Sequence, residues 1–259
     1  MEQRSSERSF GGGRAVAAVV AAFVSALSAS TLWAATAVGQ DTTTLKDALL
    51  RNQAELEAAL YETTDGARVF VLDRTREPPL LKFQDSFEVL ALSRVPASRG
   101  DEILRTDTGE DLVRVTALGA VTLYPRERPT GMPATRLGPA EPLPTLAATN
   151  PSMVDAFRAL NAHAGEAEVD APVAPANAGS ANALLADAVR LTAEGLRASA
   201  AAPDGEGKLA RLTRIEFVYG AGANARVAEG VLSVQLDESL GYAGRPSSMK
   251  VTDAVLGGG

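Results

Sequence analysis

Between residues 68 and 125 the apolar positions fall into short runs at strand spacing: Val69-Phe70-Val71-Leu72, Leu80-Leu81-Lys82-Phe83, residues 87–92, 102–105, 112–116 and 120–124. Each run is cut off from the next by Pro, Gly, Asp or Ser, the residues that turns demand, so the stretch predicts an antiparallel meander of about six strands. Near the C-terminus Ile215, Phe217 and Tyr219 alternate with Glu216 and Val218, and Leu232, Val234 and Leu236 alternate with Ser233 and Gln235. That spacing predicts a second strand pair, a hairpin joined through residues 220–224. Helical spacing appears in three places. Leu45, Leu49, Leu56 and Leu60 fall on one face of residues 42–61, where Thr44 and Asp47 form a capping box and Asp65-Gly66 stops the run. Pro151 leads into Met153, Val154, Phe157 and Leu160, and Ser180 caps a run through Leu184, Leu185, Val189, Leu191 and Leu196. The predicted fold is therefore α+β: a β-meander of about six strands plus a C-terminal strand pair, with three flanking helices.

The segment before the first helix has a different pattern. Arg4, Arg8 and Arg14 precede a charge-free, Ala- and Val-rich stretch over residues 15–40, and Ala35-Thr36-Ala37 supplies small residues where a signal peptidase reads. Export with cleavage after Ala37 is the expectation. An uncleaved anchor in the inner membrane is the alternative, because residues 15–37 are long enough to span a bilayer. Residues 38–131 then hold the first helix and the meander core. Residues 132–207, rich in Pro and Ala, read as a linker region carrying two helices, with 133–151 and 165–179 expected to be flexible. Residues 208–259 hold the C-terminal hairpin and a tail.

Composition narrows the chemistry. With 25 basic against 32 acidic residues the formal charge is −7, which leaves no electrostatic footprint for a nucleic-acid backbone. The absence of cysteine removes thiolate catalysis, disulfides and Cys-ligated metal, and a single histidine, His163, leaves no multi-histidine site. No cofactor and no metal are expected. A periplasmic or envelope address would suit a cysteine-free chain.

Several short motifs invite chemistry and have simpler readings. Asp107-Thr108-Gly109 is the tripeptide of aspartic proteases, but Arg105-Thr106 before it and Glu110-Asp111 after it suit a hairpin turn better. Ser247-Ser248-Met249-Lys250 spells the Ser-x-x-Lys of penicillin-binding proteins without a Lys-Thr-Gly partner, and reads as a surface tail. The glycines of residues 220–225 lack room for the helix of a dinucleotide loop, and Arg99-Gly100-Asp101 reads as a turn. His163 is expected near a helix end, capping or solvent-exposed.

In the meander, Leu72-Asp73-Arg74, Leu80-Leu81-Lys82-Phe83, Glu88-Val89, Arg99-Gly100-Asp101, Asp107-Thr108-Gly109-Glu110, Arg114-Val115-Thr116 and residues 118–122 together resemble a family of exported bacterial proteins of unknown function, chiefly alphaproteobacterial. Gly244-Arg245-Pro246-Ser247-Ser248 is similar to that family's ending. The resemblance implies export and a shared β core, and assigns no catalytic residues.

Two functions follow as expectations. The first is a non-catalytic binding or structural module, with an envelope protein or polysaccharide as partner and Arg74, Arg99, Asp101, Asp107 and Arg114 as its binding residues beside turns. Mutual pairing of these Arg and Asp side chains is the simpler role, with Arg114 expected to matter more to stability than Asp101. The alternative is a hydrolase acting on envelope glycans, drawing acid and base from Asp101, Asp107, Glu110 and Asp111 across a cleft of roughly 5–10 Å.

Overall fold

A computed structural model describes residues 57–149, 151–172 and 179–257. Nine strands form the first sheet: β1 (Ala58–Thr63), β2 (Val69–Asp73), β3 (Leu80–Phe83), β4 (Val89–Ala91), β5 (Ser93–Pro96), β6 (Glu102–Arg105), β7 (Asp111–Val115), β8 (Val121–Leu123) and β9 (Met132–Pro139). Their order is β4-β3-β2-β1-β9-β8-β7-β6-β5, with every neighbouring pair antiparallel. The two edge strands, β4 and β5, are consecutive in the chain and separated only by Leu92. Such edges can lie no farther apart than one residue reaches, so the sheet curls almost into a barrel and one bent strand pairs with β3 in its first half and β6 in its second. Phe70, Leu72, Leu81, Leu92, Leu104, Val113 and Leu123 fill the interior.

The remaining elements build a second layer: α1 (Leu146–Thr149), α2 (Met153–Asn161), β10 (Glu168–Asp170), α3 (Gly179–Ala200), α4 (Gly205–Leu209), β11 (Arg214–Tyr219), β12 (Asn224–Ala228), β13 (Val231–Leu236), a 3-10 stretch (Glu238–Gly244) and α5 (Ser248–Gly257). The sheet order here is β10-β11-β13-β12. Helix α3 is buried around most of its circumference, by Leu184, Leu185, Val189, Leu191 and Leu196 among others. Its Ala and Gly residues let neighbours approach closely. A Cβ at Gly195 would stand 2.7 Å from the Val251 side chain, so this glycine sets how tightly α5 lies on α3.

Strand alternation divides the barrel's apolar residues between two cores. On β2 to β4, Leu72, Leu81 and Leu90 face the barrel interior, while Val71, Leu80 and Val89 turn outward into the core built by α3, α5 and the second sheet. The barrel and the second layer thus share a wall.

Several expectations are corrected. The helix predicted over 42–61 ends differently: Ala58–Tyr61 belong to β1, paired with β2 and β9, and residues 42–56 lie outside the described residues. The meander has nine strands rather than about six. Residues 133–139, read as flexible linker, lie in β9, hydrogen-bonded between β1 and β8, and Glu168–Asp170 form a strand within the other expected flexible stretch. Strands β11 and β13 do not form a hairpin; they pair in parallel, and β12 returns on the far side of β13. The expected tail is α5, with Val251 and Val255 buried. The two helices expected from Pro151 and Ser180 correspond to α2 and α3, and the predicted signal segment lies outside the described residues. Among the described residues no helix is long and apolar enough to cross a membrane.

Candidate functional site

The polar residues singled out in the meander separate into three places. Arg114 on β7 donates from Nε to Asp101 at 2.9 Å and also through Nη2, and Asp101 accepts the Ala117 amide at 3.1 Å. The Arg114 guanidinium and that amide hold the Asp101 carboxyl below its usual range. Arg74, just beyond β2, bonds Glu102 on β6 at 2.6 Å, and Arg94 on β5 bonds the same carboxylate at 2.9 Å. Since β2 and β6 are not sheet neighbours, this cluster reaches between separate strands of the curled sheet. Arg99 has φ 63° in the turn before β6 and is exposed, without an ion pair among the described residues. Asp107 stands at the opposite end of β6 from Asp101, so the five residues do not converge.

Each carboxylate of the hydrolytic pool is also engaged. Asp101 faces Arg114, Glu110 accepts from Arg126 at 2.7 Å, Asp111 from Arg105 at 2.7 Å, and Asp107 binds Ser247. Glu110, Asp111, Arg114 and Arg126 border an open groove of about 500 Å³ with Ile103 and Tyr124. Asp107-Thr108-Gly109 is a hairpin turn: Thr106 and Glu110 close it by a backbone bond of 2.9 Å, and Gly109 takes φ +86°.

Asp107 leads to the part of the molecule where polar groups do converge. There the segment Gly244-Arg245-Pro246-Ser247-Ser248 enters α5 between the barrel and α3. Ser247 Oγ accepts from the Lys250 amide at 3.0 Å, as an N-cap does, and donates to Asp107 at 2.6 Å; the Ser247 amide donates to the other Asp107 oxygen at 2.7 Å. Ser248 does the same to Glu88, with its amide at 3.0 Å and its hydroxyl at 2.5 Å. Two carboxylates thus meet the positive end of one helix. Burial pushes the Glu88 carboxyl above its usual range, against the opposing pull of Arg245 and Ser248, and the neighbouring Asp107 charge adds to the rise. At the other end of α5, Lys208 Nζ donates to the Leu256 carbonyl at 2.6 Å.

Arg245 is the most enclosed cation of this segment, 3% exposed. It donates to Asp187 of α3 at 2.7 Å and to the Val89 carbonyl of β4 at 2.8 Å. The second bond satisfies an acceptor near the place where the bent strand leaves β3 for β6. Gly244 has no room for a side chain, since a Cβ there would lie 1.9 Å from the Asp237 carbonyl oxygen. Tyr242, 6% exposed, is enclosed beside Arg245, and its hydroxyl has no partner among the described residues.

Cavities flank Tyr242. One, of about 200 Å³, opens on the strand switch and is lined by Leu90, Leu92, Arg105, Asp107, Tyr242 and Ser247. A second, of about 270 Å³, lies between the barrel wall and α3, bordered by Lys82, Val89, Leu143, Asp187, Arg190 and Tyr242. A third, of about 290 Å³, adjoins the second through Lys82 and Leu143. Among the described residues no cluster of His, Cys, Asp and Glu could hold a metal ion.

Asp107, Glu88, Lys82 and the Gly244–Ser248 segment all stand out in the sequence, but nothing in their spacing places them together. Asp187, Arg190 and Tyr242 were missed, being single polar residues in helical or irregular stretches with no motif around them. No curated protein and no solved structure matches the chain. The match to the family model described as Domain of unknown function (DUF4908) runs over residues 43–255, across both sheets and the segment that joins them, so the chain belongs to that family.

Proposed function

We propose that the protein is an exported, non-catalytic binding module of the periplasm or cell envelope, and that its ligand site is the junction between the curled sheet and α3. The observation that carries this reading is the pair of apolar cavities on either side of Tyr242, a buried residue whose hydroxyl has no partner among the described residues. Leaving such a group unpaired costs about 1–3 kcal/mol, a cost that a bound molecule with one polar atom removes. Small-molecule sites have this composition: mostly apolar walls with a few convergent polar groups. Export rests on the basic-then-apolar order of residues 4–37. The test is native mass spectrometry of the full-length protein recovered from cell fractions. A periplasmic form beginning at Val38 and carrying a non-covalent small molecule supports the reading; an uncleaved cytosolic form without ligand sinks it.

A second reading, a carboxylate-dependent hydrolase acting on envelope glycans, has one observation in its favour. Glu88, with its raised carboxyl, lies close enough to Asp107 for the two charges to interact, as acid and base would. Turnover of envelope glycan by the wild type, abolished in Glu88→Gln and Asp107→Asn variants that still fold, would bring this reading forward.

A further inference from the structure

On the cavity between the barrel wall and α3, two cations stand without an acidic partner among the described residues. Across the described residues most arginines are paired with acids, from Arg68 with Glu127 to Arg245 with Asp187. Lys82 and Arg190, both partly buried on this cavity, have no ion pair among the described residues. Asp187, the acid on the same wall, is committed to Arg245.

Their placement follows from the fold. The register Val71↔Lys82↔Val89 sets these three residues in a row on the outer face of β2, β3 and β4, so Lys82 is a cation in the middle of an apolar row. Arg190 comes from α3 opposite, one helical turn beyond Asp187, with its guanidinium 4.0 Å from the centre of the Phe87 ring. Leu143 lines both this cavity and the adjoining one, which Leu60, Val71 and Phe83 make apolar. Two cations therefore overlook a space with apolar walls, and a second apolar space adjoins it at Lys82 and Leu143. The charge attracts an anion, and the walls favour removing hydrocarbon from water. At about 270 and 290 Å³ the two spaces suit one chain rather than two.

We propose that Lys82 and Arg190 form the head-group site for a single-chain amphipathic anion, a fatty carboxylate, whose hydrocarbon lies along Val71, Val89 and Leu143. This rests on the ligand-binding reading above and names the class of ligand.

Titration calorimetry of the folded protein with decanoate and with decanol separates the two. Saturable one-to-one binding of decanoate, at least about tenfold tighter than decanol, is expected. Lys82→Met and Arg190→Gln should each weaken decanoate about five- to tenfold and leave decanol unchanged, with melting temperatures confirming that both variants fold. Val89→Trp, which fills the cavity, should abolish binding of both; if it fails to fold, Leu143→Trp serves the same purpose, since Leu143 lines both cavities. Equal affinity for the acid and the alcohol overturns the head-group assignment while leaving a ligand site in place. Absence of binding by either probe overturns both.

Discussion

Two Asp–Arg pairs hold this molecule, in opposite circumstances. Asp101, in the turn before β6, and Arg114, on β7, pair at the outside of the curled sheet, where the aspartate is 9% exposed but the arginine 41%. Asp187 and Arg245 join α3 to the segment before α5, with side chains 9% and 2% exposed. The outer pair is local: thirteen residues separate its partners, and water can solvate the arginine if the bond breaks. The inner pair spans 58 residues, and Arg245 also bonds a β4 carbonyl, so it joins three elements at once. An exposed pair contributes little because water competes with it, whereas removing one member of an enclosed pair strands the other without solvent. Burial, more than residue type, decides which pair the fold depends on.

The largest test of this contrast is Arg245→Met. It leaves Asp187 buried and unpaired, and should cost about 3–5 kcal/mol, or roughly 10 °C in melting temperature for a unit of this size. The double variant Asp187→Leu/Arg245→Met should recover much of that loss, because no stranded charge remains. A single variant that melts with the wild type would show that solvent reaches the pair.

Ser247→Ala comes next. It removes an N-cap and one of the two bonds to Asp107, at a cost of about 1–2 kcal/mol, or roughly 5 °C. Thermal melts of Ser247→Ala beside Ser247→Thr check it, since threonine keeps the capping hydroxyl.

Glu88 supplies a pH test at the same junction. An acid whose pKa is higher folded than unfolded binds its proton more tightly when folded. Its contribution is therefore most favourable below the ordinary value of 4.5, falls as pH rises from there to the raised folded value, and is an undiminished penalty above it. Glu88→Gln carries no such penalty, so its melting temperature minus that of the wild type should grow as pH rises through that window. A difference that stays level with pH would mean the Glu88 carboxyl is not raised.

The smallest effects belong to the outer pair. Arg114→Ala leaves Asp101, the more enclosed partner, with the Ala117 amide in place of its cation, whereas Asp101→Ala leaves an arginine that water can reach, so Arg114→Ala should lower the melting temperature slightly more than Asp101→Ala. The order is the one expected from Arg114's place in mid-strand, but for a different reason. Its position between Val113 and Val115 says only that Arg114 faces away from the barrel core, not that it is covered.

Strands with apolar runs bounded by turn residues were legible: β2, β3, β6 and β7 fall within a residue or so of the runs that predict them. Others were hidden for identifiable reasons. Strand β1 is made of Ala, Leu and Glu as well as Tyr and Thr, a composition helices accept, and its place between β2 and β9 overrides that preference. Strand β9 holds Pro133 and Pro139, which read as linker; both lie near its ends, where a missing amide disturbs the ladder least. Helix α5 was obscured by the glycines behind it and by a serine pair that resembles a tail.

The sequence by itself determined which residues could cross into a core, where the chain turns, and which chemistries the absence of cysteine and the single histidine exclude, since these depend on composition and on neighbours a few positions away. The tertiary structure alone decided that two sheet edges meet at Leu92, that β11 and β13 run in parallel, and that Glu88, Asp107, Asp187 and Arg245 gather around one helix end. Those contacts join residues as far as 160 positions apart. Their energies come from burial and charge proximity, quantities that do not exist until separate segments have been packed against one another.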